Sequence, residues 1–83
     1  MLHRYWFSFT PSSGASVLNR GCGITAYDEA DARKMLEEKV FPVYGQAEIL
    51  SVIEDIDVST LDEHHVRPNM GVPVVRGVWF PLL

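Results

Sequence analysis

Residues 22–45 read Cys-Gly-Ile-Thr-Ala-Tyr-Asp-Glu-Ala-Asp-Ala-Arg-Lys-Met-Leu-Glu-Glu-Lys-Val-Phe-Pro-Val-Tyr-Gly, and this stretch decides the fold. Its opening puts Cys22, Ile24 and Ala26 on one side, the period of two of a half-buried strand. Asp28 then offers an oxygen to the free amides of a helix N-terminus. Glu29 falls in the first turn and Asp31 at the third position, and all three suit the positive end of the helix dipole. Beyond the cap, Ala32, Met35, Leu36, Lys39 and Val40 recur at helical spacing. That spacing predicts an amphipathic helix over 29–40 lying on one sheet face. Pro42 is expected to stop the helix, and Gly45 to mark the turn.

Upstream, residues 4–10 alternate: Tyr5, Phe7 and Phe9 point one way, Trp6, Ser8 and Thr10 the other. This is a strand signal written in aromatic residues. Pro11-Ser12-Ser13-Gly14 ends it, and the connection over 11–21 is long for a hairpin, which marks a mobile or binding loop. Downstream, Glu48–Val58 reads as a third strand whose faces start apolar and turn acidic toward Asp57. Ser59 or Thr60 is placed to cap one helical turn running through His65. Pro68-Asn69-Met70-Gly71 is turn chemistry. Residues 74–80 form a last strand between Pro73 and Pro81, and bracketing prolines place it at a sheet edge because they donate nothing to a ladder. The expected fold class is α+β: a two-layer sandwich, ββαβ-turn-β, with one main helix on a four-stranded, mostly antiparallel sheet. The aromatic first strand is expected at its centre.

Eighty-three residues make room for a single domain, 1–83. With 47% apolar and 22% charged residues, the chain is not of the disordered class. A chain this short buries only about 60–65% of its unfolded surface, which excludes a large cofactor fold. The single cysteine, Cys22, forms no internal disulfide and belongs to no Cys-x-x-Cys pair. No apolar run approaches the ~18 residues of a membrane span, and the short apolar stretch after Arg4 is no secretion leader. A cytoplasmic protein without membrane contact is the expectation. All 11 acids lie between Asp28 and Glu63, alongside Arg33, Lys34 and Lys39, so that block carries a net charge of −8. The flanks hold only the positive charges Arg4, Arg20, Arg67 and Arg76, with all three histidines, His3, His64 and His65. A surface divided in this way steers association with a charged partner.

Candidate chemistry concentrates after the third strand. Asp55-Ile56-Asp57-Val58-Ser59 resembles the Asp-x-Asp-x-Thr nucleophile motif of haloacid-dehalogenase-type phosphatases over five residues, with Ser59 in place of threonine. After Glu63 the chain has neither the lysine nor the further acids such folds need, so that motif lacks its context. Tried as a calcium loop, the stretch puts Thr60 where glycine belongs and Val66 where a bidentate glutamate should close the site. Asp55, Asp57, Asp62, His64 and His65 support an alternative in which the chain is a small-ligand or metal-dependent enzyme. Adjacent histidines point apart, so such a site would take one of them with Asp57 or Asp62. The spacing is not that of a known metal motif, and no metal or cofactor is expected. Cys22 reads as a small core residue, with Gly21 and Gly23 marking a bulge or a close backbone approach. The aromatic run invites comparison with base-stacking sheets, but the companion basic motif is missing and the isoelectric point is about 5.1. Nucleic acid is therefore not the expected partner. Anion or nucleic-acid binding through Arg4, Arg20, Arg67 and Arg76 is a further alternative, to be recognised by salt sensitivity.

The C-terminal segment carries the leading expectation. From Met70 it reads Met-Gly-Val-Pro-Val-Val-Arg-Gly-Val-Trp-Phe-Pro-Leu-Leu, with Arg76 its one charge. Trp79 and Phe80 fall on opposite faces of any regular strand, so one of them needs cover other than the helix. Tryptophan and arginine dominate interface hot spots, and an edge strand can pair with a second chain. The expected contact surface is Arg76, Trp79 and Phe80 with the loop of His65, Arg67 and Met70. Its partner is another protein or a second copy of the chain.

Three stretches also carry a resemblance. Gly21-Cys22-Gly23-Ile24-Thr25-Ala26-Tyr27-Asp28, Glu54 through Asp62, and Pro68-Asn69-Met70-Gly71 through Arg76-Gly77-Val78-Trp79-Phe80-Pro81 resemble a family of small uncharacterised bacterial proteins. That resemblance implies a bacterial, cytoplasmic origin and transfers no catalytic residue. The function expected is that of a non-enzymatic protein-interaction module: a small adaptor, inhibitor or homodimer.

Overall fold

Four strands build one open sheet in a computed structural model that describes residues 1–11 and 16–82. They are β1 (His3–Phe9), β2 (Cys22–Ala26), β3 (Ile49–Glu54) and β4 (Gly77–Phe80), in the order β3-β1-β2-β4 with every pair antiparallel. The aromatic strand is interior and β4 is an edge, as the sequence predicts. Because β2 and β3 both run against β1, they are parallel to each other with β1 between them, and the main helix makes the connection. The register sets Tyr5 against Ile24 and Phe7 against Cys22. Their shared face is closed by Ala32, Met35, Leu36, Val40 and Phe41 from the helix, forming the larger core. This is the α+β arrangement read from the period of two and the period of 3.6.

The helix begins where its cap predicts. The Asp28 carboxylate accepts the Asp31 amide at 2.7 Å, and Asp31 Oδ2 accepts the Tyr27 amide at 3.1 Å, a reciprocal pair that satisfies two free donors. It does not stop at Val40. Glu29–Met35 is α-helical, Leu36–Val40 is one π turn, and Phe41–Tyr44 closes as a last α turn. Pro42 is tolerated because it sits near the start of a turn that the wide π segment has re-phased. There the Phe41 amide reaches back five residues to the Leu36 carbonyl. The break falls instead at Gly45, with φ of 98°.

The far face of the sheet is covered by irregular chain. Trp6, Val66, Trp79 and Phe80 form a second buried cluster, with Ile56, Val58, Leu61 and Met70 packed against it. Trp6 stacks on Trp79 and on Phe80, with ring centroids 5.8 Å apart in both pairs. Two glycines make room for the indoles. A Cβ at Gly23 would run into the Trp79 ring, and one at Gly21 into Trp6. Trp79 and Phe80 do not fall on opposite faces. Val78 pairs with Ile24 but Phe80 pairs with Gly23, so one extra residue is inserted in β4, and the bulge sends both rings to the same side.

Three boundaries differ from the sequence reading. The third strand ends at Glu54, because Asp55 enters the left-handed region with φ of 57°. The cap of the following turn, Val58–Thr60, is Asp57, whose carboxylate accepts the Ser59 amide and hydroxyl at 3.0 and 2.7 Å. Asp62 organises the next turn through the amides of His64 and His65. Residues 74–76 are not strand, since the chain enters the ladder only at Gly77. Of the connection over 11–21, residues 12–15 lie outside the described residues. Val17–Arg20 is a 3-10 turn capped by Ser16, which buries Leu18.

Candidate functional site

The residues proposed from sequence as a contact surface separate on folding. Trp79 and Phe80 are 1% and 2% exposed. The Trp79 indole N–H donates to Thr25 Oγ1 at 3.1 Å, and Thr25 donates in turn to the Pro73 carbonyl. Both rings are therefore core, and they leave the surface of this chain because the bulge and the 56–70 segment bury them together. Met70 is half-buried against the same cluster, while His65 and Arg67 are exposed on the segment that covers it. Arg76 is exposed and differently occupied. It binds the Asp31 carboxylate through Nε at 3.0 Å and Nη2 at 2.5 Å, and its guanidinium lies 5.3 Å from the Tyr27 ring centroid. The pairing with Arg76 holds the Asp31 carboxyl below the usual carboxylate range.

Around Arg76 lies a bend, of which the sequence reading assigns residues 74–76 to a strand. Val72, Val74 and Val75 are 61%, 69% and 60% exposed, and Tyr27 beside Arg76 is 62% exposed. This bend is tethered rather than loose. Thr25 holds the Pro73 carbonyl, the Gly71 amide donates to the Trp79 carbonyl at 2.6 Å, and Asp31 holds Arg76. Apolar side chains are thus presented on fixed backbone at the edge of the sheet where β4 begins.

The acid and histidine residues disperse into separate pairs. Asp62 accepts the His64 and His65 amides at 2.8 and 3.2 Å and pairs with His65 Nδ1 at 3.2 Å; these contacts bring its carboxyl down to about 2. Asp57 is lowered mainly by Ser59, with Arg4 and Arg67 contributing positive potential. Asp55 joins neither. Its carboxylate meets His3 Nδ1 at 2.9 Å across the end of the β1–β3 pair. There the donor atoms of His3, Glu54 and Asp55 all lie within 4.8 Å of one another. Neither His3 nor Glu54 was singled out from sequence. The missing signal was the register that sets Tyr5 opposite Glu54. The Tyr5 hydroxyl donates to Glu54 Oε1 at 3.0 Å, and burial of the ring followed by that bond pushes it up to about 12.

Cys22 is buried in the main core, and burial pushes its thiol up to about 12, which keeps it protonated and unreactive at neutral pH. Of the four flanking arginines, Arg4 and Arg67 both act on Asp57. Arg4 donates to the Ile56 carbonyl at 2.9 Å, Arg76 binds Asp31, and Arg20 ends the 3-10 turn. The aromatic run of β1 is buried on both sheet faces and offers no stacking platform. A cleft of about 280 Å3 opens between Phe9, Leu18, Tyr44 and Ala47, with the Thr10–Glu48 hydrogen bond at its rim. Among the described residues no helix is long and apolar enough to cross a membrane. No family model, curated protein or solved structure matches the chain.

Proposed function

We propose that the chain is a protein-interaction module whose contact surface is the tethered bend Val72–Arg76 with Tyr27. The observation that carries this reading is the exposure of Val72, Val74 and Val75 on backbone fixed at Gly71, Pro73 and Arg76. Apolar side chains left in water close together on an ordered segment suit a docking surface, since association removes them from water with little further ordering of the backbone. Arginine and tyrosine beside them are residue types that anchor such contacts. The surface retains Arg76 from the sequence reading and replaces Trp79 and Phe80 by the three valines and Tyr27. The partner is another protein chain with an apolar face, in a small adaptor, an inhibitor or a homodimer.

Val74→Asp with Val75→Asp tests it, because both side chains are exposed and the fold does not rest on them. The melting temperature should stay within a few degrees of wild type, as surface changes usually cost no more than about 0.5 kcal/mol. Capture by the wild-type chain, read by quantitative mass spectrometry, should fall at least tenfold in the variant. If no other protein is captured, sedimentation should reveal a dimer that the variant dissociates. A partner held equally by both chains, or neither partner nor dimer, would overturn the reading.

A further inference from the structure

We propose that His3, Glu54 and Asp55 form a binding site for a divalent transition ion of the zinc class. One imidazole nitrogen and two carboxylate oxygens converge at the end of the β1–β3 pair, their donor atoms all within 4.8 Å of one another. An ion with bonds of ~2.1 Å holds such donors roughly 3–4 Å apart, so modest closure of partly exposed side chains suffices. Three protein ligands with the remaining positions open to water is a common arrangement for zinc, and mixed imidazole and carboxylate donors suit it. The frame is rigid. His3 and Glu54 stand on neighbouring hydrogen-bonded strands, and the buried Tyr5 hydroxyl orients Glu54 by donating to Oε1. An outer hydrogen bond of that kind fixes a ligand carboxylate.

The charge at this end favours a cation. Among the described residues, no lysine or arginine forms an ion pair with Glu54 or Asp55, and His3 is the one partner of Asp55. Two adjacent carboxylates facing one imidazole lack a full counter-charge, which a divalent ion supplies.

The site is distinct from the valine surface and is tested separately, by calorimetric titration of the untagged chain with zinc chloride. One ion per chain should bind, with affinity at least tenfold weaker in His3→Ala and in Asp55→Asn. His65→Ala, the control for the other histidine–aspartate pair, should bind as wild type does. Asparagine tolerates the left-handed backbone of residue 55, so Asp55→Asn keeps the fold. In the folded wild type, zinc should shift the His3 ring resonances in a proton–nitrogen spectrum. No saturable binding below millimolar zinc, or binding lost in His65→Ala and kept in His3→Ala, would overturn the proposal.

Discussion

Gly23 shows how a single residue lets two aromatic rings share one face of a small sheet. It lies opposite Trp6 in β1 and directly beneath the Trp79 ring, where a Cβ has no space. Replacing it with alanine should destabilise the chain by about 1–3 kcal/mol, the usual range for overpacking. Denaturant melts followed by tryptophan fluorescence would measure the loss, and an unchanged midpoint would refute the close-packing account. The close approach was legible in the sequence, because a Gly-Cys-Gly run in a strand pattern implies it. Which rings approach was not legible, since that depends on a bulge at Trp79 that alternation does not encode. His3 is a similar case: its neighbours are fixed by a register spanning some fifty residues of chain, and nothing local announces it.

At the scale of elements, the turn organised by Asp62 decides whether the second core stays covered. Asp62 holds the amides of His64 and His65 through its carboxylate and those of Val66 and Arg67 through its carbonyl, and so seats Val66 among Trp6, Trp79 and Phe80. Its carboxyl is lowered from 3.8 to about 2 on folding, so the folded state binds the proton more weakly than the unfolded state does. The resulting stability is present above pH 3.8 and is lost as pH falls toward 2. Asp31 and Asp57, also lowered, act in the same direction. Melting temperature should therefore drop between pH 4 and pH 2, and Asp62→Asn should flatten that limb while lowering stability at neutral pH. An identical acid limb in the variant would contradict the assignment. The helix was the most legible element: Asp28, Asp31 and the apolar stripe act locally, within one turn of each other. Its continuation through Pro42 was not, because a π turn is a response to the proline and to packing rather than a pattern of its own.

The whole molecule places its apolar residues on both sides of one sheet, with the helix on one face and the 56–70 segment on the other. The charge division seen in the sequence is partly dissolved by folding, since Arg76 reaches Asp31 and His3 reaches Asp55. With Trp79 and Phe80 buried, the apolar side chains that the C-terminal segment leaves exposed include the valines that precede β4. Overall fold class was legible because strand and helix periods are written in the core residues themselves. The proposed contact surface was not, since a sequence shows that the C-terminal segment is apolar but not which part of it the sheet buries. The most direct test is photo-crosslinking of the intact chain in its native cell, with a benzophenone side chain at Val74 and, as control, at Val43, which is equally exposed on the helix. The account predicts one discrete protein adduct from position 74 and none from position 43. The same adducts from both positions, or none from position 74, would contradict it.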